Sequence, residues 1–192
     1  MEEKTKKTLT ISMGLFIIFV MVFSSLAMWQ GSDNKKTYND YTFMKSELGW
    51  KSYINGQYIE FTYGPWELEN IAIPSPIITN TEKIYILYNP QENNLNELSF
   101  RKLKSVLNYL QIPSFPACTI EENCPDIPIV SCSDEKDSVY IKLANETRVY
   151  KEGNCLILEG SEESQLKEID KLFYIKLGVM EWKRNKQSQL YG

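Results

Sequence analysis

No charged residue occurs between Thr8 and Ser32, and Leu9 to Trp29 reads LTISMGLFIIFVMVFSSLAMW. A helix of about 21 residues rises roughly 30 Å, the thickness of a bilayer's hydrocarbon core. Almost every position is apolar, so the segment lacks the polar stripe that a helix packed on a globular domain would turn to water. The flanks suit a crossing, with Lys4, Lys6 and Lys7 before it and Trp29, Asp33, Lys35 and Lys36 after it. On this reading residues 1–7 are a short cytoplasmic head, residues 8–32 a transmembrane helix acting as signal anchor, and residues 33–40 a polar linker. Three lysines before the span and two close behind it do not set the orientation. The short head, set against a long cysteine-bearing C-terminal part, puts that part outside.

A cleaved secretory signal is the rival reading. Met13 to Phe23 would be its apolar centre, and Ser25-Leu26-Ala27 resembles a small-x-small site with cleavage after Ala27. The apolar run exceeds the usual length of such a centre, which favours the anchor. Either way the remaining chain crosses the membrane, and the favoured anchor gives a cell-membrane, single-pass protein with an extracytoplasmic C-terminal domain.

That leaves residues 41–180 for one domain with one core, and 181–192 as a mixed-charge tail. A net charge of -4 over 192 residues offers no basic footprint for nucleic acid, so none is expected as a partner. The chain contains no histidine, which removes His-based triads, HExxH zinc sites and imidazole proton shuttles. Carboxylate, Lys, Tyr or Cys chemistry remains open, but no motif assigns a catalytic, cofactor-binding or metal-binding residue.

Within the domain, Trp50–Ile54, Asn55-Gly56 and Gln57–Tyr63 read as a hairpin, because Asn-Gly tolerates the positive φ angles of a type I′ turn. Ile59, Phe61 and Tyr63 then share one face, with Glu60 and Thr62 on the other. Trp66–Ile71 suits a helical turn. Lys83–Tyr88, KIYILY, is a nearly continuous apolar run, as in a central strand buried on both faces. Leu103, Val106, Leu107 and Leu110 recur at helical spacing, Leu95 and Leu98 extend that stripe backwards, and Pro113 stops it. Strands follow at Ile127–Cys132, Val139–Leu143, Arg148–Tyr150 and Cys155–Leu158, with a turn at 145–147. Gly160-Ser161 opens a last helix whose Leu166, Ile169, Phe173 and Leu177 form a stripe and whose Gly178 closes it. The order predicts an α+β domain: a mostly antiparallel sheet with two packed helices, allowing one parallel crossover from Ile84 to Val130.

Cys118, Cys124, Cys132 and Cys155 all follow the apolar segment, and an even number in an exported domain is most simply two disulfides. Of three pairings, Cys118 with Cys124 and Cys132 with Cys155 is preferred, since the second would tie two strands. The spacing C-x5-C-x7-C-x22-C lacks the paired C-x2-C knuckles of structural zinc. Asp126–Val130, followed by two strands and a terminal helix, resembles the second half of a thioredoxin-like domain. The resemblance lacks the C-x-x-C at a helix start that makes a reactive thiolate, so it carries over no redox residue.

Asn145-Glu146-Thr147 fits the N-glycosylation sequon on an expected turn. Asp134–Asp137, Glu121-Glu122 and Glu162-Glu163 read as solvated turns and a helix start rather than calcium or acid/base sites. Trp50, Tyr63 and Trp66 could line a binding face, although aromatics are ordinary in strands and cores. The succession TYNDYTF, ING before FTYGP, CPDIPIVSC and GNCLILEG before a final helix resembles small membrane-anchored surface proteins of archaea with compact genomes. That resemblance implies an outward-facing address and no activity. The expectation is a binding or scaffolding domain at the cell surface, with the membrane and a surface protein or glycan as partners. The alternative is an extracytoplasmic thiol-disulfide oxidoreductase of degenerate thioredoxin-like type.

Overall fold

A computed structural model describes residues 13–23, 34–74, 82–91 and 97–181. The domain is α+β and holds two sheets, two helices and two disulfides. The first sheet is an antiparallel meander of β1 (Lys35–Tyr38), β2 (Tyr41–Ser46), β3 (Gly49–Ile54) and β4 (Gln57–Phe61). The second runs β6-β5-β7-β9-β8, with β5 (Ile84–Tyr88), β6 (Ser114–Cys118), β7 (Ser138–Leu143), β8 (Arg148–Glu152) and β9 (Cys155–Gly160). Helix α1 (Glu97–Tyr109) connects β5 to β6, and α2 (Glu162–Lys176) follows β9.

The hairpin reads as expected. Asn55 and Gly56 take φ of 51° and 87°, and Trp50 pairs with Phe61 across β3 and β4. Ile59 and Phe61 are buried on the face that also carries Phe43, Trp50 and Ile54, while Glu60 is exposed. Trp50 is thus a core residue, meeting Trp66 edge-on at 4.7 Å. The apolar run KIYILY supplies β5, which lies between β6 and β7. Its Ile84 and Ile86 join the main core, whereas Leu87 joins a second cluster with Ala117, Val130, Cys155 and Ile157. Alternation along β9 does the same, sending Leu156 and Leu158 one way and Cys155 and Ile157 the other. Both faces of this sheet are therefore covered, which accounts for the unbroken apolar pattern of its central strands.

Several expectations are corrected. The sheet is not one mostly antiparallel layer: the second is parallel except for the β8–β9 pair. Residues 33–40 do not form a spacer with order starting at Tyr41, because Lys35–Tyr38 pairs with Tyr41–Met44. Asn39 and Asp40, both at positive φ, make the tight turn between them. The expected strand Ile127–Cys132 reduces to one bridge, Cys118 to Ile129, since Pro128 has no N–H to continue a ladder. The crossover from Ile84 consequently lands on β6, a strand that its own Pro116 hides in the sequence. The thioredoxin-like half loses its proline-led core strand by the same observation. Leu98 does not extend the α1 stripe; it is 53% exposed.

Helix α2 begins where Ser161 accepts a hydrogen bond from the Ser164 amide and ends before Gly178, at φ 74°. Its apolar stripe is as expected, yet residues of every face are buried, including Gln165, Glu168, Asp170 and Lys171. The helix packs on α1 and β9 and also against the first sheet, where Tyr174 stacks on Phe61 at 4.1 Å and meets Phe43 at 5.8 Å. A helix enclosed in this way must bury polar side chains, and each needs a partner.

Residues 13–23 are helical, and every side chain in them is exposed. The rest of the expected span, the head and the tail beyond Glu181 lie outside the described residues, among which no helix is long and apolar enough to cross a membrane.

Candidate functional site

Among the described residues, four carboxyl or amino side chains are buried: Glu159, Glu168, Asp170 and Lys171. Three are fully accommodated. Asp170 accepts hydrogen bonds from the Thr62 and Tyr63 amides at 2.8 and 3.0 Å and pairs with Lys102 at 2.9 Å. Burial pushes its pKa up, against the opposing pull of Lys102 and the two amides. Lys171 donates to the carbonyls of Leu68, Glu69 and Ile71, closing the turn after the short helix Pro65–Glu67. Glu159 pairs with Lys142 and Arg148, each at 2.9 Å, and the Lys142 hydrogen bond leads the influences that lower its pKa against burial.

Glu168 differs. It is 0% exposed, and neither carboxyl oxygen has a hydrogen-bond partner. Burial first, and the Glu159 charge second, push its pKa up to about 9. It is therefore a neutral carboxylic acid at neutral pH, with an O–H to donate and nothing to receive it. An unsatisfied buried polar group costs about 1–3 kcal/mol, and such groups concentrate where a ligand or a catalytic role supplies the missing partner.

The cavity beside it answers that description. About 750 Å³ lies beside Asn70–Ala72 and the edge strand β8, bordered also by Thr147 to Tyr150 and by Glu168. That volume is in the range of small-molecule sites. Ile71, Ala72 and Val149 give apolar wall, and Arg148 and Tyr150 give polar groups. The local sequence builds it simply. Strand β8 is the sheet's free edge, Lys171 fixes the carbonyls of the 68–71 segment, and α2 carries Glu168 about one and a half turns before the aromatic pair Phe173-Tyr174. A second hollow, about 850 Å³ on the outer side of the first sheet, is bordered by Lys35, Met44, Leu48 and Lys51. Ser46 on its border also has a buried hydroxyl without a partner, but among the described residues no buried carboxyl borders this hollow, which is what marks the first.

The proton on Glu168 gives a measurable consequence. Unfolded, the group ionises near 4.5; folded, it keeps its proton to about 9. Unfolding between those values releases a proton. Stability is thus fully present below about pH 4.5 and falls by about 1.4 kcal/mol per pH unit toward pH 9. Glu168→Gln should remove this slope. Urea titrations at about pH 5 and about pH 8 should show the variant gaining on the parent at the higher pH, and a constant difference would refute the assignment.

The residues singled out from the sequence are arranged as follows. Cys118 is joined to Cys124 and Cys132 to Cys155, the preferred pairing. Neither pair sits at a helix N-terminus, the position that would activate a thiolate. Asn145 is exposed on the turn between β7 and β8. Thr147 of the same tripeptide borders the cavity and donates to Ser164 at 2.8 Å. Asp134 accepts from the Ser131 amide, and Glu163 pairs with Lys167, both local structural roles. Glu122 accepts from Gln91 at 2.5 Å. Sequence reasoning passed over Glu168, Arg148 and Asn70. The available signal was weak: a Glu next to the apolar Ile169, at a position of the helix that periodicity turns away from the apolar stripe.

Compared with known protein families, with curated proteins and with solved structures, the chain matches none of them.

Proposed function

We propose that this chain is a single-pass membrane-anchored protein whose extracytoplasmic domain binds a small polar ligand in the cavity bordered by Glu168. The single observation behind the binding role is that Glu168, which borders the cavity, is wholly buried, unpartnered and neutral, while the other buried charges have partners. A purely scaffolding domain gains nothing from that arrangement and would be more stable with an apolar residue there. The anchoring role rests on the uncharged stretch Thr8–Ser32 and on the exposed apolar side chains of residues 13–23, which water does not favour. Two disulfides fit an oxidising compartment. The oxidoreductase alternative has less support, because Cys118 and Cys155 are 0% exposed and no C-x-x-C is present.

Two measurements test the proposal. In cells making the full chain, the protein should remain in the membrane pellet after alkaline extraction. A maleimide added before reduction should label none of its four cysteines. A soluble product carrying reduced thiols would rule out the anchored, exported reading. For binding, the full-length chain in detergent micelles is screened by ligand-observed NMR against small acids, amines and polyols. Binding that Glu168→Leu abolishes supports the site, and an absence of binders at this cavity overturns it.

A further inference from the structure

The chemistry of the cavity narrows its ligand, given the binding role proposed above. Glu159, whose charge acts on the Glu168 carboxyl, belongs to a set of three charged side chains. Glu159 on β9 is held by Lys142 on β7 and by Arg148 on β8, leaving the group with one positive charge in excess. Glu146 approaches Arg148 only at 4.0 Å and is 80% exposed, so water screens it. Arg148 is itself 60% exposed and borders the cavity, and a guanidinium has five N–H donors, of which Glu159 engages one at 2.9 Å. The site therefore offers donors: the remaining guanidinium N–H groups and the Glu168 O–H.

We propose that the cavity takes a small organic carboxylate, one oxygen held by Arg148 and the other accepting a hydrogen bond from the Glu168 carboxyl. A carboxylate has only acceptors, so it supplies what both groups lack, and its charge offsets the local positive excess. Its apolar remainder would lie against Ile71, Ala72 and Val149. An ammonium ligand fits worse. It would have to displace the proton from Glu168, adding a second negative charge beside Glu159, and it would sit next to Arg148. A neutral polyol could take the Glu168 hydrogen bond but would leave Arg148 without a role.

The test uses the full-length chain in micelles and titration calorimetry with benzoate and butyrate, set against benzylamine, butylamine and glycerol as probes of matched size. Both acids should bind, with no proton release at neutral pH in buffers of different ionisation enthalpy. Arg148→Met should weaken them by about tenfold or more, the loss expected for one charge-assisted hydrogen bond. Glu168→Gln, whose amide still donates, should retain most of the affinity, whereas Glu168→Leu should lose it; thermal unfolding of each variant checks that it is folded. Amine binding with release of a proton, glycerol binding alone, or acids that bind equally well to Arg148→Met would overturn the carboxylate assignment while leaving the cavity a ligand site. If no probe of any charge binds, the binding role itself fails.

Discussion

Replacing Asp170 by alanine is expected to lower folding stability by about 3–5 kcal/mol, a loss as large as that of a buried aromatic side chain. Asp170 is 0% exposed and gathers three partners from two different parts of the chain. Its Oδ2 accepts the Thr62 and Tyr63 amides at the exit from the first sheet, and its Oδ1 faces Lys102 of α1 at 2.9 Å. Alanine would leave two amides without an acceptor and the Lys102 ammonium, 19% exposed, without a counter-charge. The effect should appear in urea unfolding of the full-length chain as a lower midpoint with an unchanged slope. Lys102→Met alone should cost less, and the two substitutions together should cost less than their sum, because the second removes a charge already stranded by the first. A loss below about 1 kcal/mol for Asp170→Ala would mean that this clasp does not hold α2 to the first sheet.

The second large effect belongs to the Cys132–Cys155 bridge. It closes a sequence separation of 23 residues, against 6 for Cys118–Cys124, and restriction of the unfolded chain grows with loop length. Replacing both Cys132 and Cys155 by serine should cost about 3–5 kcal/mol, and the same change at Cys118 and Cys124 about 1–2 kcal/mol less. Packing adds to the chain effect. Cys155 is 0% exposed in the cluster of Leu87, Ala117, Val130 and Ile157, where a serine hydroxyl would need a partner. The neighbouring turn depends on close contact too: Gly153 has φ 53°, and a Cβ there would meet the Cys132 carbonyl oxygen at 2.1 Å. Thermal unfolding of the two double variants gives the order. Equal destabilisation, or a larger loss at Cys118–Cys124, would show that loop closure is not what the longer bridge contributes.

Much of the fold is local and therefore readable. Asn55-Gly56, the run KIYILY, the spacing of Leu103, Val106 and Leu107, and the Ser161 to Gly178 limits of α2 each state a backbone preference within a few residues. The two missed strands also had local explanations. Strand β1 is polar because it is an edge, and its Asn39-Asp40 turn was a usable signal. Strand β6 carries Pro116, which an edge position tolerates. What misled was treating Pro128 as the start of a core strand.

The candidate site was not readable in the same way. Glu168 and Asp170 stand two residues apart on one helix, with Lys171 next to them; periodicity puts Asp170 on the stripe of Leu166 and Phe173 but assigns Glu168 and Lys171 to the opposite, solvent side. They are buried because α2 is covered by the first sheet as well as by the second, an arrangement no window of sequence contains. Asp170 and Lys171 then find partners about a hundred residues away, and Glu168 finds none.

The residues alone determined the short-range terms: an apolar stretch that water does not tolerate, turns that need positive φ, the period of each amphipathic element, and an even set of cysteines. Tertiary structure decided which sheet each strand joined, which sulfurs paired, and above all which charged side chains lost their water. Burial is a property of everything packed around a group, so a carboxylate's proton and its want of a partner exist only once the second sheet has closed over the helix.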